Sequence, residues 1–156
     1  MATPSYSNLI TQIIKRLKED TRLRVVKDDS IFAGANTSRS VEWPTITVSL
    51  ERVEENWRTF AGKTGGQKDS VCLVRLTVMD RLPHGSQGYT EGLKSVEDIV
   101  QTIDNIIQSD TGISGVGYYG ETSVKTFVLG QYDNVPVIGA DVELTSVINF
   151  TPASRS

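Results

Sequence analysis

The sequence predicts an α+β domain, a mostly antiparallel sheet with a long central hairpin and two amphipathic helices packed on one face. Three observations carry this. First, residues 136–150 alternate with a period of two. Ile138, Ala140, Val142, Leu144, Ser146, Ile148 and Phe150 fall on one side, and Gly139, Asp141, Glu143, Thr145, Val147 and Asn149 on the other. That pattern marks a strand with one buried face. At about 3.3 Å per residue it spans roughly 45–50 Å, far longer than a usual strand. Second, residues 45–53 and 71–81 share the same period and follow one another, as the arms of a hairpin do. Third, two segments repeat apolar residues at helical spacing, which supplies the layer that covers the sheet.

In chain order, residues 1–4 read as a loose tail. The first helix is expected over 5–20, capped by Ser5 or Ser7 through a hydroxyl that accepts from a first-turn N–H. Leu9, Ile10, Ile13, Ile14 and Leu17 form its apolar stripe, and Lys15, Arg16, Lys18 and Glu19 lie largely off it. Residues 23–27 read as a short strand. A polar loop then runs through Ser40, interrupted by Ile31-Phe32. Trp43-Pro44 opens the long hairpin of residues 45–81. Ile46, Val48 and Leu50 share one face of its first strand, and Cys72, Val74, Leu76 and Val78 one face of its second.

The connection inside that hairpin, residues 54–70, far exceeds the two to five residues usual for a hairpin loop. It holds Trp57 and Phe60 beside Arg58, Lys63 and Lys68, with glycines at 62, 65 and 66. Aromatic and basic residues on a glycine-rich arm suit docking onto a partner. The plainer alternative folds the arm back, with Trp57 and Phe60 as a satellite of its own core.

A loop rich in Gly and Pro, residues 80–94, precedes a second helix expected over 95–109. Ser95 reads as its cap, with Glu97 and Asp98 in the first turn where the helix dipole favours acids. Val96, Ile99, Val100, Ile103, Ile106 and Ile107 make its apolar face. A glycine-rich stretch with Tyr118 and Tyr119 leads to a C-terminal hairpin, residues 124–150, turning at Tyr132-Asp133-Asn134. The 156 residues hold no internal repeat or linker and read as a single domain.

Composition bounds the function. The net charge of −3 argues against a protein that coats DNA, which needs a basic excess. No run approaches the roughly 20 apolar residues of a membrane span, and no basic-then-apolar leader marks a secretory signal. One cysteine, Cys72, excludes an intramolecular disulfide and a multi-thiolate metal site. Its place between apolar neighbours in a strand makes it a small core side chain. Gly62-Lys63-Thr64 is no phosphate loop, because Trp57 stands where the first glycine belongs and no helix follows. His84 is the sole histidine and has no positioned nucleophile or carboxylate beside it. The pairs Asp28-Asp29, Glu54-Glu55 and Glu97-Asp98 match no metal-ligand spacing. No catalytic residues, cofactor or metal are expected, and no enzyme class emerges.

The order of elements resembles the tail terminator, or tail completion, family of long-tailed, lambda-like bacteriophages. The resemblance covers residues 5–150. It rests on the N-terminal amphipathic helix, the run Trp43-Pro44-Thr45-Ile46-Thr47-Val48 and the hairpin ending Leu76-Thr77-Val78-Met79-Asp80-Arg81. The helix after Leu93 and the closing Val135-Pro136-Val137 with its alternating strand complete it. The resemblance implies a structural virion protein of the tail or neck, assembled in the host cytoplasm. Such a protein forms a homo-hexameric ring on the tail tube, stops tube polymerisation and meets the head connector. It implies that DNA passes through the ring without specific binding. Within that frame Trp57, Arg58, Phe60, Lys63 and Lys68 are expected at a subunit or partner interface. Asp141 and Glu143, on the polar face of the last strand, are expected to face the channel. Two other readings stand beside it, another neck, head-completion or tail-tube protein, and a nucleic-acid-binding module stacking bases on Tyr118 and Tyr119.

Overall fold

A computed structural model describes residues 5–34, 42–57, 68–109, 119–132 and 134–150. In chain order these form α1 (Tyr6–Glu19), β1 (Ile31–Ala33), β2 (Thr45–Trp57), β3 (Lys68–Arg81), α2 (Gly88–Ser109), β4 (Tyr119–Tyr132) and β5 (Val135–Phe150). The strands make one sheet in the order β1-β2-β3-β5-β4. Only the β1–β2 pair is parallel, so the sheet is mostly antiparallel, with the expected long hairpin at its centre.

The period-two pattern places the core. Val74, Leu76 and Val78 of β3 and Ile138, Ala140, Val142, Leu144 and Ile148 of β5 are buried in one cluster with both helices. From α1 come Leu9, Ile13 and Leu17, and from α2 Val96, Ile99, Val100, Ile103, Ile106 and Ile107. The helices divide the sheet between them. α1 packs on β1 and β2, while α2 packs on β5, β3 and β4. Burying a side chain of this size contributes about 1.5–3 kcal/mol, so the shared apolar face dominates the fold.

The first helix begins as expected. Ser5 caps it, its side chain accepting from the Asn8 N–H at 3.2 Å. Four other regions depart from the sequence expectation. Residues 23–27 are not a strand. A single 3-10 turn, Thr21–Leu23, and a following bend bury Leu23 and Val26 under the sheet, and the strand lies at Ile31–Ala33 instead. Parallel pairing with Ile46–Val48 selects the later segment despite its polar surroundings.

The second helix starts at Gly88, seven residues before Ser95. Ser95 therefore sits inside it, and its hydroxyl donates to Asp80 Oδ2 at 2.6 Å rather than capping. The glycines that read as loop signals are packing positions. A Cβ on Gly88 would stand 2.0 Å from the Pro83 carbonyl oxygen, and one on Gly92 2.7 Å from Leu82 Cδ2. The helix tolerates them because the preceding chain crosses against it.

The arm is shorter than the predicted 54–70. Glu54, Glu55, Asn56 and Trp57 pair with Val71, Ser70, Asp69 and Lys68, so the hairpin continues to residue 57 and resumes at 68. Charged residues of low strand propensity are held there by their partners. A bulge between Leu50 and Arg52 shifts the register so that Val53 packs against the core. In the C-terminal hairpin, β4 begins five residues before the predicted 124. Its turn carries Asn134 at φ 65, a left-handed conformation that Asn adopts readily.

Candidate functional site

The root of the arm is pinned from below. Glu55 and Ser70 are paired across β2 and β3. The Tyr6 hydroxyl of α1 donates to Glu55 Oε1 at 3.2 Å and lies 3.4 Å from Ser70 Oγ. Lys68 Nζ lies 3.6 Å from the other Glu55 oxygen, and its side chain is mostly covered. Lys68 thus belongs to a network that fixes the last rung of the hairpin. Trp57 forms that rung with it as the end of β2. Arg58, Phe60 and Lys63 lie outside the described residues. No local pattern announces the network, because Tyr6 and Glu55 are 49 residues apart.

The face of the sheet opposite the two described helices holds the two acids predicted to face a channel. Asp141 stands across from Thr77, whose hydroxyl donates to Asp141 Oδ1 at 2.7 Å. Glu143 stands across from Arg75, and Arg75 Nη2 pairs with Glu51 Oε1 one strand further on. Arg75 therefore sits between two acidic positions in a row across β2, β3 and β5. Asp141 and Glu143 are both half-buried. The register brings these two together on one strand, and it sets them apart from the arm root. Lys68 pairs with Phe150 at the far end of β5, seven residues beyond Glu143.

A third feature was not anticipated. Between α2 and β4 a groove of about 470 Å³ is lined by Tyr89, Leu93, Val100 and Phe127, with Glu97, Gln101 and Lys125 around it. Phe127 and Leu129 pair with Ala140 and Ile138, so they occupy the helix side of the sheet, but α2 leaves them uncovered. Phe127 is 42% exposed, Leu129 56%, and Val128, on the opposite face, 53%. Lys125 Nζ pairs with Asp104 of α2 at the bottom of this side. The available signal was Phe127-Val128-Leu129 itself, a run apolar on both faces of one strand. A smaller hollow of about 240 Å³, lined by Arg22, Val25, Ser95, Asp98, Ile99 and Thr102, gathers none of the residues predicted at an interface or channel.

The remaining candidates occupy separate places. Cys72 is fully buried, and burial pushes its thiol up to about 11. His84 is exposed in the turn before α2. Tyr118 lies outside the described residues, and Tyr119 opens β4 across from Val147. Among the described residues, no three His, Cys, Asp or Glu side chains are grouped to hold a metal ion. No described helix is long and apolar enough to cross a membrane.

No protein-family model matches the chain, and no curated protein matches it.

Proposed function

We propose that this chain is a structural virion protein, a terminator that forms a ring on the end of a long phage tail tube, stops its growth and joins it to the head connector. The observation that carries the proposal is the division of labour on one sheet. One face packs against two helices over β1, β2, β3 and β5 and leaves Phe127 and Leu129 of β4 exposed. The other keeps half-buried polar and charged side chains, Arg75, Thr77, Asp141 and Glu143, along strands of 14 and 16 residues. Long strands with one polar, helix-free face suit a wall shared by several subunits. Acids on that wall disfavour adhesion of passing DNA, since affinity for phosphate rests on Lys and Arg. Arg75 is already engaged by Glu51. The arm, rooted by the Tyr6–Glu55–Ser70 contacts, suits an outward reach to a neighbour.

The test is reconstitution with tail-tube protein. Adding the chain to polymerising tubes should cap them at shorter lengths, and native mass spectrometry or electron microscopy should show a six-fold ring at the cap. Indefinite tubes built from this chain alone would make it a tube subunit instead. Steep, salt-dependent binding to DNA or RNA would replace the proposal with a nucleic-acid-binding module.

A further inference from the structure

We propose that the groove between α2 and β4 receives the arm of a second copy of this chain, residues 57–68. The proposal deepens the ring reading and rests on the self-association that it requires.

Three observations choose this occupant. The first is shape and polarity. The groove offers Tyr89, Leu93, Val100 and Phe127 in about 470 Å³, a volume within the range that accepts large apolar groups. The segment 57–68 carries two aromatic residues, Trp57 and Phe60, three residues apart.

The second is charge. α2 holds four acids, Glu91, Glu97, Asp98 and Asp104, against one base, Lys94. Lys94 pairs with Asp98, and Asp104 is taken by Lys125, so Glu97 remains as the acid on the groove wall, accepting from Gln101 Nε2 at 3.3 Å. The arm brings Arg58 and Lys63 and has no acid between 57 and 68. Opposite signs on the two surfaces steer the encounter and fix its register.

The third is reach, which excludes the chain's own arm. Eleven steps from Trp57 to Lys68 give a contour of about 40 Å, so the tip extends at most about 20 Å from the root. The groove begins at Lys125, which is level with Val142 and, through it, with Leu76. Leu76 lies eight residues down β3 from Lys68, about 26 Å away along the strand, and β4 is two strands further across, about 10 Å. An arm that fills this groove comes from another molecule. Arm into groove is a head-to-tail contact, which leaves a pair of copies with one free arm on one and one free groove on the other. Such contacts close into rings when the rotation permits.

Site-directed cross-linking tests this on the full chain. Phe60→Cys and Gln101→Cys chains are prepared separately, leaving the buried Cys72 in place, and mixed under a mild thiol oxidant while sedimentation reports assembly. The mixture should yield a disulfide-linked dimer at least tenfold above either variant alone. A chain carrying both substitutions should give a ladder of covalent oligomers. Phe127→Ser, at an already exposed position, should keep the wild-type circular dichroism and weaken association at least tenfold. Assembly without cross-linking above the single-variant background would overturn the groove assignment and leave the ring reading intact. A monomeric disulfide in the doubly substituted chain would overturn it by showing that the arm reaches its own groove. Absence of both association and cross-linking at high concentration would also reject it, while capping of tail tubes remains a separate measure of the ring reading.

Discussion

The two edges of the sheet are built differently. At one edge β1 is three residues long, runs parallel to β2 and lies under α1. Ile31 is buried there, and the chain before β2 is tied back by the Ser30 hydroxyl donating to the Glu42 carbonyl at 2.8 Å and by Lys27 pairing with Glu42. At the other edge β4 is fourteen residues long and shows Phe127, Val128 and Leu129 to its surroundings. Short, covered edges are a standard protection against strand addition, and long apolar ones invite it. The contrast separates residues that hold the monomer together from residues available for assembly.

Breaking the closed edge should cost most. Ile31→Ala removes a fully packed side chain between α1 and Ile46. A loss of about 2–4 kcal/mol in urea unfolding is expected, by the range for buried Ile→Ala. Tube capping by the folded fraction should be unchanged. An unchanged unfolding midpoint would show that the β1 edge is not part of the stabilising core.

A smaller effect on the same side sharpens the point. Asp20 closes α1 and starts the following 3-10 turn. It accepts from the Arg22 side chain at 2.9 and 2.8 Å, from the Arg22 N–H at 2.9 Å, and from Arg16 at 3.0 Å. The Arg22 side-chain hydrogen bonds, opposed by burial and reinforced by the Arg22 N–H and Arg16, hold its carboxyl well below the usual carboxylate range. A lowered folded pKa means that this stabilisation is complete above the unfolded value, near 3.9, and fades as pH falls toward the folded value. Asp20→Asn should therefore cost about 1 kcal/mol at pH 7. The gap between variant and wild type should narrow in denaturation curves taken progressively below about pH 4. A gap that stays constant down to pH 2 would remove the ionic contribution.

The pattern of legibility follows from range. Period-two and helical spacing exposed the central strands and both helical stripes, because burial of one face writes itself into neighbouring residues. A serine cap at position 5 or 7 was visible for the same local reason, and the structure selects Ser5. The true position of β1 was not, since a three-residue strand is selected by its partner rather than by its own sequence. Gly88 and Gly92 misled because close approach to Pro83 and Leu82 is a tertiary fact. Of the site, the alternation placed Asp141 and Glu143 on the polar face. The Tyr6–Glu55 contact and the groove depend on segments far apart in sequence, and no local pattern encodes them. Lys68 was assigned to a free arm and instead braces its root.

The open edge provides the smallest stability effect and the sharpest use of the comparison. Leu129 lies on the helix side of β4 across from Ile138, yet more than half of it is exposed. Truncation to Ala there removes little buried area, so the monomer should lose at most about 0.5–1 kcal/mol, in line with surface substitutions away from packed features. The same change shortens the apolar strip that continues from the groove along β4. Leu129→Ala should thus leave the unfolding midpoint close to wild type and raise the concentration needed for self-association several-fold, the reverse of Ile31→Ala. If Leu129→Ala destabilised the monomer as much as Ile31→Ala, the edge would be part of the core and the distinction between a closed and an open side would fail. If it left both stability and association untouched, partner contacts would be confined to the groove itself and would not extend along the strand.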